Sequence, residues 1–261
     1  MPSASAAQIA GIYRYPVKGL TPEPLPRVAL KAGQTLPSDR RYAIENGPSG
    51  FDPADPKWLP KAHFLMLMRD EWLVPLRTQF DDDSHVLTIR DNGETVAQGD
   101  LETAEGRAAI ERYFASRHTG EIKGPPKLLA SPGHSFSDLA RKVVSIINLN
   151  SLRAIEAMVG QPVHPLRFRA NFYLEGWPAW HEFELVERTL MIGDARVKVV
   201  KRITRCAAVN VDPDSGVRDL TIPQALMQRL GHNECGIYAE VVADGNVALG
   251  DAIAAEQPAL L

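Results

Sequence analysis

The chain has 261 residues, 44% of them hydrophobic and 23% charged, so it has the material for a packed core and is not a disordered tail. Its formal net charge of −3 leaves no global positive field to hold a nucleic acid or an anionic membrane. Two cysteines are too few for a disulfide scaffold or for the four thiolates of an iron–sulfur cluster, and they point to a reducing cytoplasm.

The start, Met1-Pro2 and the small residues after it, lacks the basic and then apolar pattern of a signal peptide. No run approaches the roughly 20 apolar residues of a membrane span. Ile9 to Lys18 alternates apolar and polar residues and stops at a Pro/Gly-rich bend, as an opening strand does. Arg40 to Ile44 is a second short strand, followed by a proline-punctuated loop with Phe51, Pro53, Pro56 and Trp58 that is too irregular to assign. Val86–Arg90 and Thr95–Gln98 flank Asp91-Asn92-Gly93, which predicts a hairpin with positive φ at its tip. Residues 101–115 predict an amphipathic helix that buries Ala104, Ala108, Ile110 and Phe114. The Gly-Pro-Pro at 124–126 then suggests a boundary near 116–130.

In the second half, Asn150 or Ser151 can cap a helix running to about Val159, with Gly160 at its left-handed end. Phe172–Leu174, Thr189–Ile192, Val197–Val200 and Ile237–Val242 are β-branched or aromatic runs broken by Gly, Asp and Pro. Pro223 opens a short helix that Gly231 ends. This order is not a regular βαβ alternation, so the expected class is mainly β with attached helices (α+β), built as a β-barrel and not as a doubly wound sheet.

Arg205-Cys206 follows the strand around Val197–Val200 and leads into Val211-Asp-Pro-Asp-Ser-Gly216, which puts a cysteine where a strand runs out into a turn. A thiolate attacks electrophiles and binds soft metals, whereas an isolated cysteine is most often a small buried hydrophobe, and the residues alone leave both readings open. Asp212 and Asp214 sit in a stretch where aspartates commonly bond nearby backbone amides. His134-Ser135 lacks a nucleophile elbow, which argues against a hydrolase. His232, Cys235 and Cys206 are one short of the four ligands of a closed zinc site, and Cys235 reads as core. No phosphate-binding Gly-Lys-Ser/Thr loop and no Gly-x-Gly-x-x-Gly fingerprint occurs.

Arg205-Cys206 with the following Val-Asp-Pro-Asp-Ser-Gly resembles the signature of MOSC domains, named for the C-terminal domain of molybdenum-cofactor sulfurases. Tyr15-Pro-Val-Lys18 and Asp39-Arg40-Arg-Tyr resemble the N-terminal β-barrel module that precedes many MOSC domains. His134–Asp138, Ser145–Leu152, Phe168-Arg-Ala-Asn171 and Ile192-Gly-Asp194 resemble landmarks of the bacterial two-module branch related to the mitochondrial amidoxime-reducing component. The resemblance covers about residues 8–252 and implies an N-terminal module over 1–122 and a MOSC domain over 123–261.

It also implies a molybdenum cofactor in which the Cys206 sulfur ligates the metal beside a pterin dithiolene, a role suited to a soft donor. Lys18, Arg40 and Arg169 match the family's contacts to the anionic pterin, with Asn171 and Thr204 as neutral partners. Arg205 belongs to the same motif, and Asn148, Asn150 and Ser151 are further candidates, although a helix N-cap accounts for at least one of them. Gly19 stands where the mitochondrial relatives usually carry serine, which removes a hydroxyl contact. Each cation also has a plainer reading as a solvated strand end or a structural ion pair.

The resemblance implies an oxidoreductase that removes oxygen from N-hydroxylated or N-oxide substrates. Its electrons would come from a separate ferredoxin-type or flavoprotein-type carrier. Two alternatives remain at this level: a sulfur carrier with a persulfide on Cys206, although the pyridoxal-phosphate desulfurase module that usually makes such sulfur is missing, and a non-catalytic cofactor carrier.

Overall fold

The computed structural model describes residues 7–117 and 122–256. The reading of the extreme N-terminus falls on residues 1–6, and part of the expected boundary falls on 118–121; both lie outside the described residues.

The chain opens with β1 (Ala7–Arg14), β2 (Glu23–Pro24), β3 (Arg27–Leu30) and β4 (Tyr42–Ile44). After a long loop come β5 (Arg77–Phe80), β6 (Val86–Asp91), β7 (Glu94–Asp100) and α1 (Ala104–Arg117). The second half supplies β8 (Leu128–Ala130), β9 (Val144–Asn148), α2 (Leu149–Val159), β10 (Phe172–Glu175), β11 (Thr189–Ile192) and β12 (Ala195–Thr204). It ends with α3 (Ile222–Leu230), β13 (Glu234–Ala243), β14 (Gly245–Ala248) and β15 (Ala252–Ala255).

Seven of these strands close a barrel in the order β10-β9-β13-β12-β11-β15-β1, because β1 pairs with β15 on one side and with β10 on the other. All neighbours are antiparallel except β9 and β10, which are parallel. A parallel pair needs a crossover, and α2 lies in the segment that provides it. Alternating residues fill the interior: Ile9, Ile146, Phe172, Val197 and Ile237 are all essentially unexposed. A closed barrel has no free edge, so every interior position of a strand has a hydrogen-bonded neighbour on both sides. The helices α2 and α3 cover one wall of it, over a cluster that includes Leu152, Ile155, Leu226 and Cys235.

A second core lies under the three-stranded sheet β5-β6-β7, α1 and the pair β4-β8, and buries Tyr42, Phe80, Ile89, Ile110 and Phe114. The two halves are interleaved: β1 belongs to the barrel built by the second half, β3 pairs with β14, and β4 pairs with β8.

The expected hairpin forms between β6 and β7, with Asn92 at φ 51° and Gly93 at φ 86°. The first helix begins three residues later than the hydrophobic spacing predicts, because the Thr103 hydroxyl accepts from the Gly106 N–H at 3.0 Å and caps the helix there. Ala104 is therefore exposed instead of buried, and the buried stripe is Gly106, Ile110 and Phe114. At α2 the cap is Asn148, not Asn150 or Ser151: Asn148 ends β9 in an extended conformation and its side chain accepts from the Asn150 N–H. Gly160 closes this helix in the left-handed conformation, φ 71°. No helix among the described residues is long and apolar enough to cross a membrane.

Candidate functional site

The strand β12 ends at Thr204, and the chain turns at Cys206 into a short 3-10 segment over Ala207–Asn210. What fixes the turn is Arg205. Its N–H donates to the Asn233 carbonyl at 2.8 Å, and its side chain runs inward to donate to the carbonyls of Cys235 at 2.8 Å and Phe168 at 3.0 Å. With its neighbour buried in this way, Cys206 stays partly exposed at the wall of a cleft.

That cleft is lined by residues far apart in sequence: Lys18 and Arg40 from the first half, and Arg169, Asn171, Thr204, Arg205 and Cys206 from the second. Tyr15 is its anchor. The ring is fully buried, and the guanidinium groups of Arg40 and Arg169 lie 4.4 and 4.3 Å from its centroid. Burial pushes the Tyr15 phenol well above its ordinary pKa, so it stays a neutral donor, to the Ala170 carbonyl at 3.2 Å.

Both arginines hold left-handed backbone, Arg40 at φ 49° and Arg169 at φ 50°. Non-glycine residues adopt this region seldom and at some cost, which the surrounding contacts must offset. Arg40 donates to Asp39 Oδ2 at 2.6 Å and to the Arg169 carbonyl at 2.8 Å, while Arg169 donates to the Leu20 carbonyl at 2.8 Å. Burial, with the repulsion of Arg40 added, pushes the Arg169 pKa down to about 10, which leaves it cationic at neutral pH. Arg40 is held above its ordinary value: burial opposes its charge, but Asp39 more than offsets it.

Lys18 is nearly buried and donates to the Phe136 carbonyl at 2.8 Å and to Asp138 Oδ1 at 2.5 Å. Burial lowers its pKa in spite of that carboxylate. Asp138 itself lies below the usual carboxylate range; burial opposes its charge, but Lys18 and Lys61 outweigh it.

Asn171 lines the cleft, yet its amide is spent on structure: Oδ1 accepts from the Ser145 N–H and hydroxyl, and Nδ2 donates to the Tyr13 carbonyl. Asn148 and Ser151 are not part of the cleft, which corrects the expectation from sequence. They turn to Glu182, with Asn148 Nδ2 at 3.0 Å and Ser151 Oγ at 2.7 Å, because that carboxyl is fully buried and must be satisfied locally. Asn150 likewise donates away from the cleft, to the Trp177 carbonyl at 2.6 Å.

Two cations of the cleft escape sequence reasoning. Arg167 lines it while pairing with Asp212 and Asp219, at 2.9 and 2.7 Å. Its signal was available in the run Leu166-Arg167-Phe168-Arg169, where only the second arginine stood out. Lys61 comes from the irregular proline loop and carries no motif. Asp212 has the structural role read from its turn, accepting from the Asp214 and Ser215 N–H groups. Cys235 is core, and burial pushes its thiol up to about 12.

Six cationic side chains thus line the cleft against two carboxylates. Two donors of cleft-lining residues, Arg205 Nη2 and Arg167 Nε, are buried without a partner among the described residues, and leaving such groups unmet is costly. A soft sulfur at the rim and surplus donors within suit an anionic ligand with a soft centre. The residues fit a phosphorylated pterin carrying a metal. Among the described residues no group of three or more His, Cys, Asp or Glu could hold a metal ion.

Comparison with known families gives two matches: the MOSC N-terminal beta barrel domain over residues 6–124 and the MOSC domain over residues 117–254. The chain belongs to the MOSC domain family. A search of curated proteins found no match. Among solved structures, the YUAD protein from Bacillus subtilis is similar at 13% identity and a TM-score of 0.44, over 95% of this chain and 94% of that one. YiiM from Geobacillus stearothermophilus is similar at 19% identity and a TM-score of 0.36, over 44% of this chain and 54% of that one. YiiM from Escherichia coli matches the same shares at 18% identity and a TM-score of 0.33.

Proposed function

We propose that this chain is a molybdenum-cofactor oxidoreductase that removes oxygen from N-hydroxylated or N-oxide substrates. The observation that supports it is the convergence of Cys206 with Lys18, Arg40, Arg169 and Arg205 on one cleft where buried donor capacity exceeds what the protein itself uses. The chemistry such a group supplies when bound is two-electron cleavage of an N–O bond.

The chain's own residues do the rest. Cys206 offers a thiolate to the metal from a turn that Arg205 holds rigid. Arg40 and Arg169, braced on Tyr15, hold the anionic part of the cofactor through charge-assisted hydrogen bonds. Thr204 and Asn171 add neutral lining beside them. Lys18 is itself nearly buried at the cleft wall, which strengthens its contacts there.

Two electrons are needed per turnover, and the two cysteines fall short of the thiolates an iron–sulfur cluster requires. A separate ferredoxin-type or flavoprotein-type carrier fills this need in the cytoplasm, docking transiently near the cleft. The sulfur-carrier reading draws support from the partial exposure of Cys206, which leaves room for a persulfide.

The test is molybdenum analysis and N-hydroxylated-base reduction by protein made in a cofactor-competent host, with a reduced viologen dye as donor. The wild type is expected to contain molybdenum and to turn over with the dye and not with NADH alone. Cys206→Ser should lose activity by roughly 100-fold or more, because a hard hydroxyl replaces the thiolate. Equal metal content and equal turnover in the two proteins would sink the reading. Protein without metal but with one added sulfur atom on Cys206 would establish the carrier instead.

A further inference from the structure

The cations of the cleft differ in how completely they are compensated. Arg40 is paired with Asp39, Arg167 with Asp212 and Asp219, and Lys18 with Asp138 at 2.5 Å. Lys61 reaches the other oxygen of the same Asp138 only at 3.9 Å, beyond the roughly 2.7–3.2 Å of a hydrogen bond. Two lysines therefore share one carboxylate, and Lys61 holds the weaker share; Arg169 and Arg205, which have no carboxylate partner among the described residues, are instead spent on the carbonyls of Leu20, Cys235 and Phe168. Cys206 lines the same cleft as Lys61.

Position and access agree with an unfilled role. Lys61 opens a 3-10 turn over Lys61–His63, closed by the Phe64 N–H on the Lys61 carbonyl at 3.0 Å. The wall that follows is clamped to the Cys206 turn by Arg218, which donates to the carbonyls of Leu67, Met68 and Ala207 and to Glu71. The Lys61 side chain is still 30% exposed, so it is fixed at its base and reachable at its tip.

We propose that Lys61 forms an oxyanion subsite beside the Cys206 sulfur, and that the small molecule handled there presents a negatively charged oxygen to it. The identity of that molecule as an N-oxygenated compound rests on the function proposed above; the subsite does not. An N-oxide oxygen, a deprotonated N-hydroxyl and a carboxylate share the needed chemistry.

The experiment uses the full chain, prepared in a host that makes no molybdenum cofactor, and reads alkylation of Cys206 by mass spectrometry. Cys235 is buried with its thiol raised to about 12, so Cys206 is the reporter. Iodoacetate and iodoacetamide react alike, the sulfur displacing iodide, and differ in charge alone. Lys61→Met is expected to lower the iodoacetate-to-iodoacetamide rate ratio by roughly fivefold, and Lys61→Arg to keep it within about twofold of wild type, since only the charge steers the anion. A ratio that is unchanged in Lys61→Met overturns the proposal. So does an equal fall in both rates, which would mean that Lys61 acts on the sulfur and not on the incoming oxyanion. Because no cofactor is present, failure of the molybdenum reading would leave this ratio unaffected.

Discussion

Glu182 has no solvent exposure, and its oxygens accept from Ser151 Oγ at 2.7 Å and Asn148 Nδ2 at 3.0 Å. Burial pushes its pKa above the usual carboxylate range, and the two donors only partly oppose this. The sign for stability follows. Between the ordinary pKa and the raised folded one, the folded state keeps a proton that the unfolded state releases, so stability falls as pH rises through that window. Glu182→Gln removes the proton and with it the pH dependence. The difference in Tm, variant minus wild type, should grow more positive between pH 5 and pH 8, by a few degrees on the order of 2–4 °C per kcal/mol. Thermal melts at the two pH values decide it, and a difference that does not move with pH would refute the assignment. This residue also explains a failure of sequence reading. Asn148 and Ser151 look like site residues because their partner stands 31 positions from Ser151, where no local pattern connects them. Lys18, Arg40, Arg169 and Cys206 were legible because each sits in a short motif at the end of a strand or turn. Lys61 was not, since an irregular loop without a motif brings it to the cleft.

At the level of elements, local chemistry was legible wherever the turn residue was unambiguous. The Asn92-Gly93 hairpin and the left-handed Gly160 and Gly231 helix ends lie where backbone preference places them. β5 escaped notice because Arg77-Thr-Gln-Phe80 carries a single apolar residue, so its alternating burial has no counterpart in the sequence. α1 shows a different limit. Spacing alone puts Ala104 inside, whereas the buried position is Gly106, packed so closely on the preceding strand that a Cβ would lie 2.0 Å from the Asp100 carbonyl oxygen. Gly99 answers it from the strand, where a Cβ would meet the Gly106 carbonyl oxygen at 2.3 Å. Glycine to alanine in a helix interior usually stabilises by about 1 kcal/mol. Here the helix must move off the sheet or strain its backbone, at a cost of about 1–3 kcal/mol for overpacking, so Gly106→Ala should destabilise the protein on balance. Urea unfolding measures it, and a raised midpoint would show that the close approach is not structural.

On the scale of the whole molecule, the sequence announces a barrel and attached helices but not which strands close it. Pairing partners such as Ile9 and Leu174, or Val28 and Val247, lie too far apart for any periodicity to link them. We propose that the linear division at residues 122 and 123 marks two regions of sequence and not two folding units. Removing residues 1–122 would take away β1, leave β10 and β15 as unpaired edges, and withdraw Ala7, Ile9 and Ile12 from the barrel core. Burial of each large aliphatic side chain contributes about 1.5–3 kcal/mol, and open edges invite pairing between molecules. A marginally stable domain of this size, with a total near 5–15 kcal/mol, does not absorb both losses. The fragment 123–261 should therefore aggregate or unfold without cooperativity, whereas the full chain unfolds in one transition. Adding back residues 1–24, which carry β1 and β2, to the N-terminus of the fragment should restore solubility and a sigmoidal melt even though the α1 half remains missing. A fragment 123–261 that is monomeric and melts cooperatively on its own would overturn this account of the barrel.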